Sequence, residues 1–114
     1  MGEELRAFLA RHVETFNAAV VSGDFDSLVA LFADDATLVF AGIPVGPFEG
    51  RDAIAAAYAA QPPTDTMTIL DLRFEDDGTI VESFSWSADA GARSGEMRLV
   101  VEGASIRRLV VAFG

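Results

Sequence analysis

Apolar residues recur every three or four positions at the start of the chain and every second position towards its end. Leu5, Phe8, Leu9, His12, Val13, Phe16, Ala19 and Val20 keep the i, i+3, i+4 spacing of one helix face, so residues 3–21 predict an amphipathic helix. Glu3 and Glu4 suit the positive end of its dipole, and Gly23 ends it. A second helix is predicted over 25–33, with Asp24 as N-cap and Leu28, Leu31 and Phe32 on its buried face. Asp34 and Asp35 then mark a solvated corner before a strand over 37–41, where Leu38 and Phe40 share a side. The segment GIPVGPFEG, 42–50, is rich in Pro and Gly. It is expected to carry no ladder and to cross the surface or a pocket mouth. Residues 51–60 predict a third helix with Ile54, Ala57 and Tyr58 turned inward, and QPPTDT, 61–66, breaks it.

From residue 67 the period becomes two. Over 67–75, Thr68, Leu70, Leu72 and Phe74 alternate with Asp71 and Arg73. Asp76-Asp77-Gly78 is a hairpin turn. Over 79–88, Glu82, Phe84, Trp86 and Ala88 share one face, and Val81, Ser83, Ser85 and Ser87 the other. Residues 96–102 and 106–113 predict the last two strands, joined near Gly103. The chain therefore predicts one α+β domain, 1–114, with three N-terminal helices packed on a curved, mostly antiparallel sheet. Helices and sheet are expected to enclose a cone-shaped cavity. The opposite sheet face, with Ser83, Ser85 and Arg98 beside apolar residues, is expected to form a homodimer.

Composition narrows the function classes. The net charge of −10 argues against nucleic acid, which needs clustered cations. The absence of cysteine removes disulfides, thiolate metal sites and cysteine nucleophiles. The first residues form neither a signal peptide nor a membrane span, so a cytoplasmic protein without membrane contact is expected. No nucleotide, flavin or metal motif is present, and no cofactor is expected. A hydrophobic content of 51% is high, which suggests apolar surface lining a cavity or a subunit interface.

Three polar residues are candidate catalytic groups. His12 lies on the apolar stripe, either as a packed histidine with one hydrogen bond or as a pocket acid or base. As the only histidine it cannot build a typical metal site. Tyr58, the only tyrosine, is either a core residue with its hydroxyl at the rim or a pocket donor. Glu82 is either solvated, paired with Arg98 or Arg107, or a cavity carboxylate with a raised pKa that could act as a general base.

The stretch SGDFDSLVALFADDATLVF followed by GPFEGRDAIAAAYA resembles the nuclear transport factor 2-like superfamily, in its ketosteroid isomerase and SnoaL-like polyketide cyclase branch. The resemblance covers 22–59 and weakens over the rest. It implies the cone-shaped fold of that superfamily, which hosts many activities. In the isomerases an Asp base works with a Tyr and a protonated Asp. Carried over one at a time, the tyrosine falls on Phe16, the base on Phe40, and the second Asp at or near Met97. None of these can move a proton or stabilise an enolate, so the usual isomerisation is not expected.

Phe16, Phe32, Phe40, Phe84, Trp86 and Met97 are the expected ligand contacts, and a small apolar molecule of steroid, polyketide or terpenoid type the expected partner. Two further readings stand beside simple binding. One is an isomerase-, lyase- or cyclase-type enzyme using His12, Tyr58 and Glu82. The other is a noncatalytic homodimerisation domain.

Overall fold

The computed structural model describes residues 2–113. Its elements are α1 (Gly2–Ser22), α2 (Asp26–Val29), β1 (Phe32–Ala41), β2 (Phe48–Glu49), α3 (Arg51–Ala60), β3 (Met67–Phe74), β4 (Ile80–Trp86), β5 (Gly95–Glu102) and β6 (Ser105–Phe113). The strands form one sheet in the order β2-β1-β6-β5-β4-β3. β3 to β6 make the expected antiparallel meander. β1 joins it in parallel beside β6, with Leu38 opposite Leu109 and Phe40 opposite Val111. The α+β architecture is as expected, with three helices on one face of a curved, mostly antiparallel sheet.

The helix periodicity of α1 becomes burial. Phe8, Leu9, His12, Phe16 and Ala19 form its inner face. Phe8, Leu9 and Phe16 meet Phe84, Met97, Leu99 and Leu109 of the sheet in the hydrophobic core, with Ile54 and Tyr58 of α3. The Asn17 side chain pins α1 to the start of β3. Its amide donates to the Met67 carbonyl and its carbonyl accepts from the Met67 N–H, each at 2.9 Å.

The second helix is shorter than its sequence suggests. It ends at Val29, because Leu31 is drawn to the sheet: its carbonyl accepts the Ile106 N–H at 2.8 Å. Phe32 therefore opens β1 instead of closing a helix. The N-cap is Phe25, with no side-chain cap, in place of the expected Asp24, which lies one residue earlier with its carboxylate accepting the Asp26 N–H at 3.0 Å. Asp34 and Asp35 lie within β1, where its register to β6 shifts, and pair with Arg51 at 2.9 Å and Arg107 at 3.4 Å.

Two further expectations change. The 42–50 segment does carry a short ladder, with Phe48 opposite Leu38. Gly50, at φ 92°, lets the chain turn from that ladder into α3 while its N–H donates to the Ala36 carbonyl at 2.7 Å. In β3 a bulge between Ile69 and Asp71 displaces Leu70, which is 43% exposed. One inserted residue reverses the alternation. Met67 is buried and Ile69 packs against the core, in place of Thr68 and Leu70.

Candidate functional site

α3 faces the sheet with alanines, too short to fill the space beneath it. A cavity of about 860 Å³ remains there, in the range of small-molecule pockets. Leu38, Met97, Leu109 and Val111 form its sheet side, and Phe84 and Trp86 of β4 one wall. The helices contribute His12, Phe16, Ala53, Ala57 and Tyr58. The aromatic wall is a packed set: Phe84 and Trp86 meet edge to face at 5.0 Å, and Trp86 lies 6.1 Å from Phe16. Phe40 meets Phe48 edge to face at 6.2 Å.

The exposed end of the cavity is built from Ile43 and Val45, from 61–65, and from Ala88 and Asp89. Asp65 holds this rim together. One carboxylate oxygen accepts the Thr66 N–H and the other the Ala88 N–H, each at 2.9 Å. The Ser87 N–H donates to the Thr66 carbonyl at 2.9 Å, and the Ser94 hydroxyl donates to Asp89.

Away from the rim, His12 and Tyr58 are polar side chains in the lining. His12 is 1% exposed, and neither ring nitrogen has a hydrogen-bond partner among the described residues. Burial lowers its pKa from 6.5 to about 4, so the imidazole is neutral at pH 7. It therefore keeps one N–H donor and one lone pair. Tyr58 stacks on Phe25 with ring centroids 5.4 Å apart, and burial pushes its hydroxyl pKa upward. That hydroxyl remains a donor at physiological pH. Among the described residues no arginine lines the cavity; its carboxylates are Asp65 and Asp89 at the rim.

The structure thus brings together His12, Tyr58, Phe16, Phe40, Phe84, Trp86 and Met97 around one void. It does not bring Phe32 or Glu82 there. Phe32 is fully buried in the core, and its carbonyl accepts two Arg51 hydrogen bonds, at 3.0 and 2.7 Å. Glu82 shares a strand face with Phe84 and Trp86, but each two-residue step along a strand moves roughly 7 Å. That carries Glu82 under α1, where it lines a separate recess. It is buried at 2% exposure and pairs with neither Arg98 nor Arg107, which bind Glu75, Glu96, Asp35 and Glu102. Its position shows why face-sharing alone does not place a side chain in a cavity.

Sequence reasoning put 42–50 at the surface or a pocket mouth but singled out none of its lining residues, Ile43, Val45 and Phe48, because the segment has no period to read. It also missed the rim residues of 61–65. The Pro-Pro pair there signals a helix stop, and nothing in it signals a cavity edge. Among the described residues no cluster of His, Cys, Asp or Glu could hold a metal ion, and no helix is long and apolar enough to cross a membrane.

Three helices packed on a curved, mostly antiparallel six-stranded sheet make the α+β fold of the nuclear transport factor 2-like superfamily. The chain belongs to the SnoaL-like domain family, whose model matches residues 13–110. No curated protein matches it. Among solved structures, it is similar to the epoxide hydrolase/cyclase-like enzyme SalBIII of pyran ring formation in the polyether salinomycin. The TM-score is 0.76 and the identity 18%, covering 99% of this chain and 92% of that one. It is also similar to a candidate ketosteroid isomerase from Kribbella flavida, at TM-score 0.75 and 18% identity, covering 98% and 78%. A protein from Sphaerobacter thermophilus is 27% identical at TM-score 0.64, covering 90% and 93%. The first two likenesses speak for the fold alone.

Proposed function

We propose that this protein binds a small apolar molecule of steroid, polyketide or terpenoid type in the helix–sheet cavity, and acts on it by isomerase-, lyase- or cyclase-type chemistry without a cofactor. The observation that carries this reading is the apolar void with a neutral His12 in its lining that has no hydrogen-bond partner among the described residues. A buried imidazole without a partner costs stability, and a ligand oxygen would satisfy it. His12 and Tyr58 both enter as donors, because burial keeps the imidazole neutral and the phenol protonated. Two donors suit polarisation of a carbonyl or epoxide oxygen, where charge develops in the transition state. The isomerases' own acid–base set has no counterpart in this reading, since the resemblance puts Phe16 and Phe40 at two of those positions and Met97 at or near the third. Family membership supports the class of chemistry. The named enzymatic roles of relatives such as SalBIII are the model for it.

A thermal-shift screen against steroids, polycyclic polyketides and terpenoid epoxides tests this. One class should raise Tm saturably, and Phe40→Asp, which puts a carboxylate into the lining, should abolish the rise. No response from any class, or an equal response in the variant, would refute the reading. The second reading is a noncatalytic homodimer through the outer sheet face, where Val100 is 37% exposed beside Arg98 and Glu96.

A further inference from the structure

Glu82 has no role in the large cavity, yet it is buried in a recess of its own. That recess, of about 390 Å³, lies between α1 and the edge strand β3. Leu9, Ala10 and Val13 form one side and Met67, Ile69 and Leu72 the other. Met67 also lines the large cavity, so its side chain stands between the two voids. The bulge in β3 turns Leu70 outward, and that side chain does not fill the recess.

The Glu82 Oε1 atom is buried without a hydrogen-bond partner, and the carboxylate has no ion pair among the described residues. A buried carboxylate left this way is costly when ionised, and above the pH at which it holds its proton a cation that also donates hydrogen bonds relieves it. The charged groups facing the recess are Arg6 and Glu14 from α1 and Glu82 from β4; β3 contributes only Thr68 as a polar group. Arg6 is directed over the Phe74 ring, 5.4 Å from its centroid. Two acids against one engaged base leave the recess short of positive charge, while its walls are apolar.

We propose that this recess is a second binding site, for a small organic cation: a primary amine on an aliphatic or aromatic body. The ammonium group donates to Glu82, and the body packs on Leu9, Val13 and Leu72. The site is independent of the function proposed for the large cavity.

The full chain, labelled with ¹⁵N, is titrated with benzylamine at pH 8, with benzyl alcohol as the uncharged counterpart. Benzylamine should shift the Ala10, Thr68, Ile69 and Leu72 amides saturably. Benzyl alcohol should bind about tenfold more weakly or worse, as should benzylamine to Glu82→Gln. Ala10→Leu, at an exposed position on the recess wall, should block the amine. Equal binding of the alcohol, amine binding that survives Glu82→Gln, or shifts that do not saturate would overturn the proposal. If Glu82→Gln does not fold, Ala10→Leu and the alcohol comparison decide: an amine response unchanged by Ala10→Leu refutes the site.

Discussion

Replacing Glu82 by glutamine isolates the electrostatic strain of one buried acid. Glu82 is 2% exposed, and burial pushes its pKa from 4.5 up to about 7. The unfolded chain releases this proton at the lower value and the folded chain at the higher. The native state therefore prefers the protonated acid. Glu82 costs nothing well below pH 4.5; its cost grows as pH rises from 4.5 to 7 and then levels. The gap corresponds to about 3 kcal/mol. Glutamine keeps the shape and removes the titration. Urea unfolding of both proteins from pH 4 to 8 gives the difference in stability, in which all other carboxylates cancel. The variant should gain about 3 kcal/mol on wild type across that range, mostly between pH 4.5 and 7. His12 works in the opposite sense. Its pKa falls from 6.5 to about 4 on folding, so its stability contribution is lost as pH falls through that window. The two slopes offset in the wild type, and the variant should reveal the histidine's slope, stability rising with pH from 4 to 6.5. A difference that moves by less than about 0.5 kcal/mol from pH 4 to 8 would show that the carboxylate is solvated or paired, and would refute the reasoning.

Two other substitutions or measurements test separate parts of the structure. A Cβ at Gly95 would stand 2.2 Å from the Ala112 carbonyl oxygen and 3.1 Å from the Phe84 ring, so Gly95→Ala should destabilise by about 1–3 kcal/mol in chemical denaturation and weaken ligand binding through the displaced Phe84. An unchanged midpoint would contradict the close strand approach. The proposed homodimer predicts a two-chain mass by sedimentation at micromolar concentration, and a single-chain mass would exclude it.

The helix and meander periods were legible because burial in both follows a fixed repeat. α1, β3, β5 and β6 lie close to where the apolar spacing puts them, whereas β4 stops at Trp86 and a 3-10 turn over Ser87–Asp89 takes the place of its expected end; five of the six aromatic or thioether ligand contacts line one void. What was not legible depends on pairing between distant segments. The end of α2 is set by the Leu31–Ile106 hydrogen bond, which no local window contains. The β3 bulge shifts the inward set by one residue without changing composition. Glu82 misled for a related reason: a strand face is known from alternation, but the distance along that face to a cavity is set by how the helices lie across it.

The parallel seam between β1 and β6 governs how the chain can assemble. Leu38 and Leu109 are sheet neighbours roughly 70 positions apart in sequence, and such non-local pairing slows folding. The meander can form from hairpins between adjacent segments, but β1 has no long partner until β6 is in place. A growing chain therefore carries an exposed apolar first half, Leu38 and Phe40 included, until its final strand emerges. That interval is when self-association competes with folding, and the strand that ends it also supplies the cavity with Leu109 and Val111.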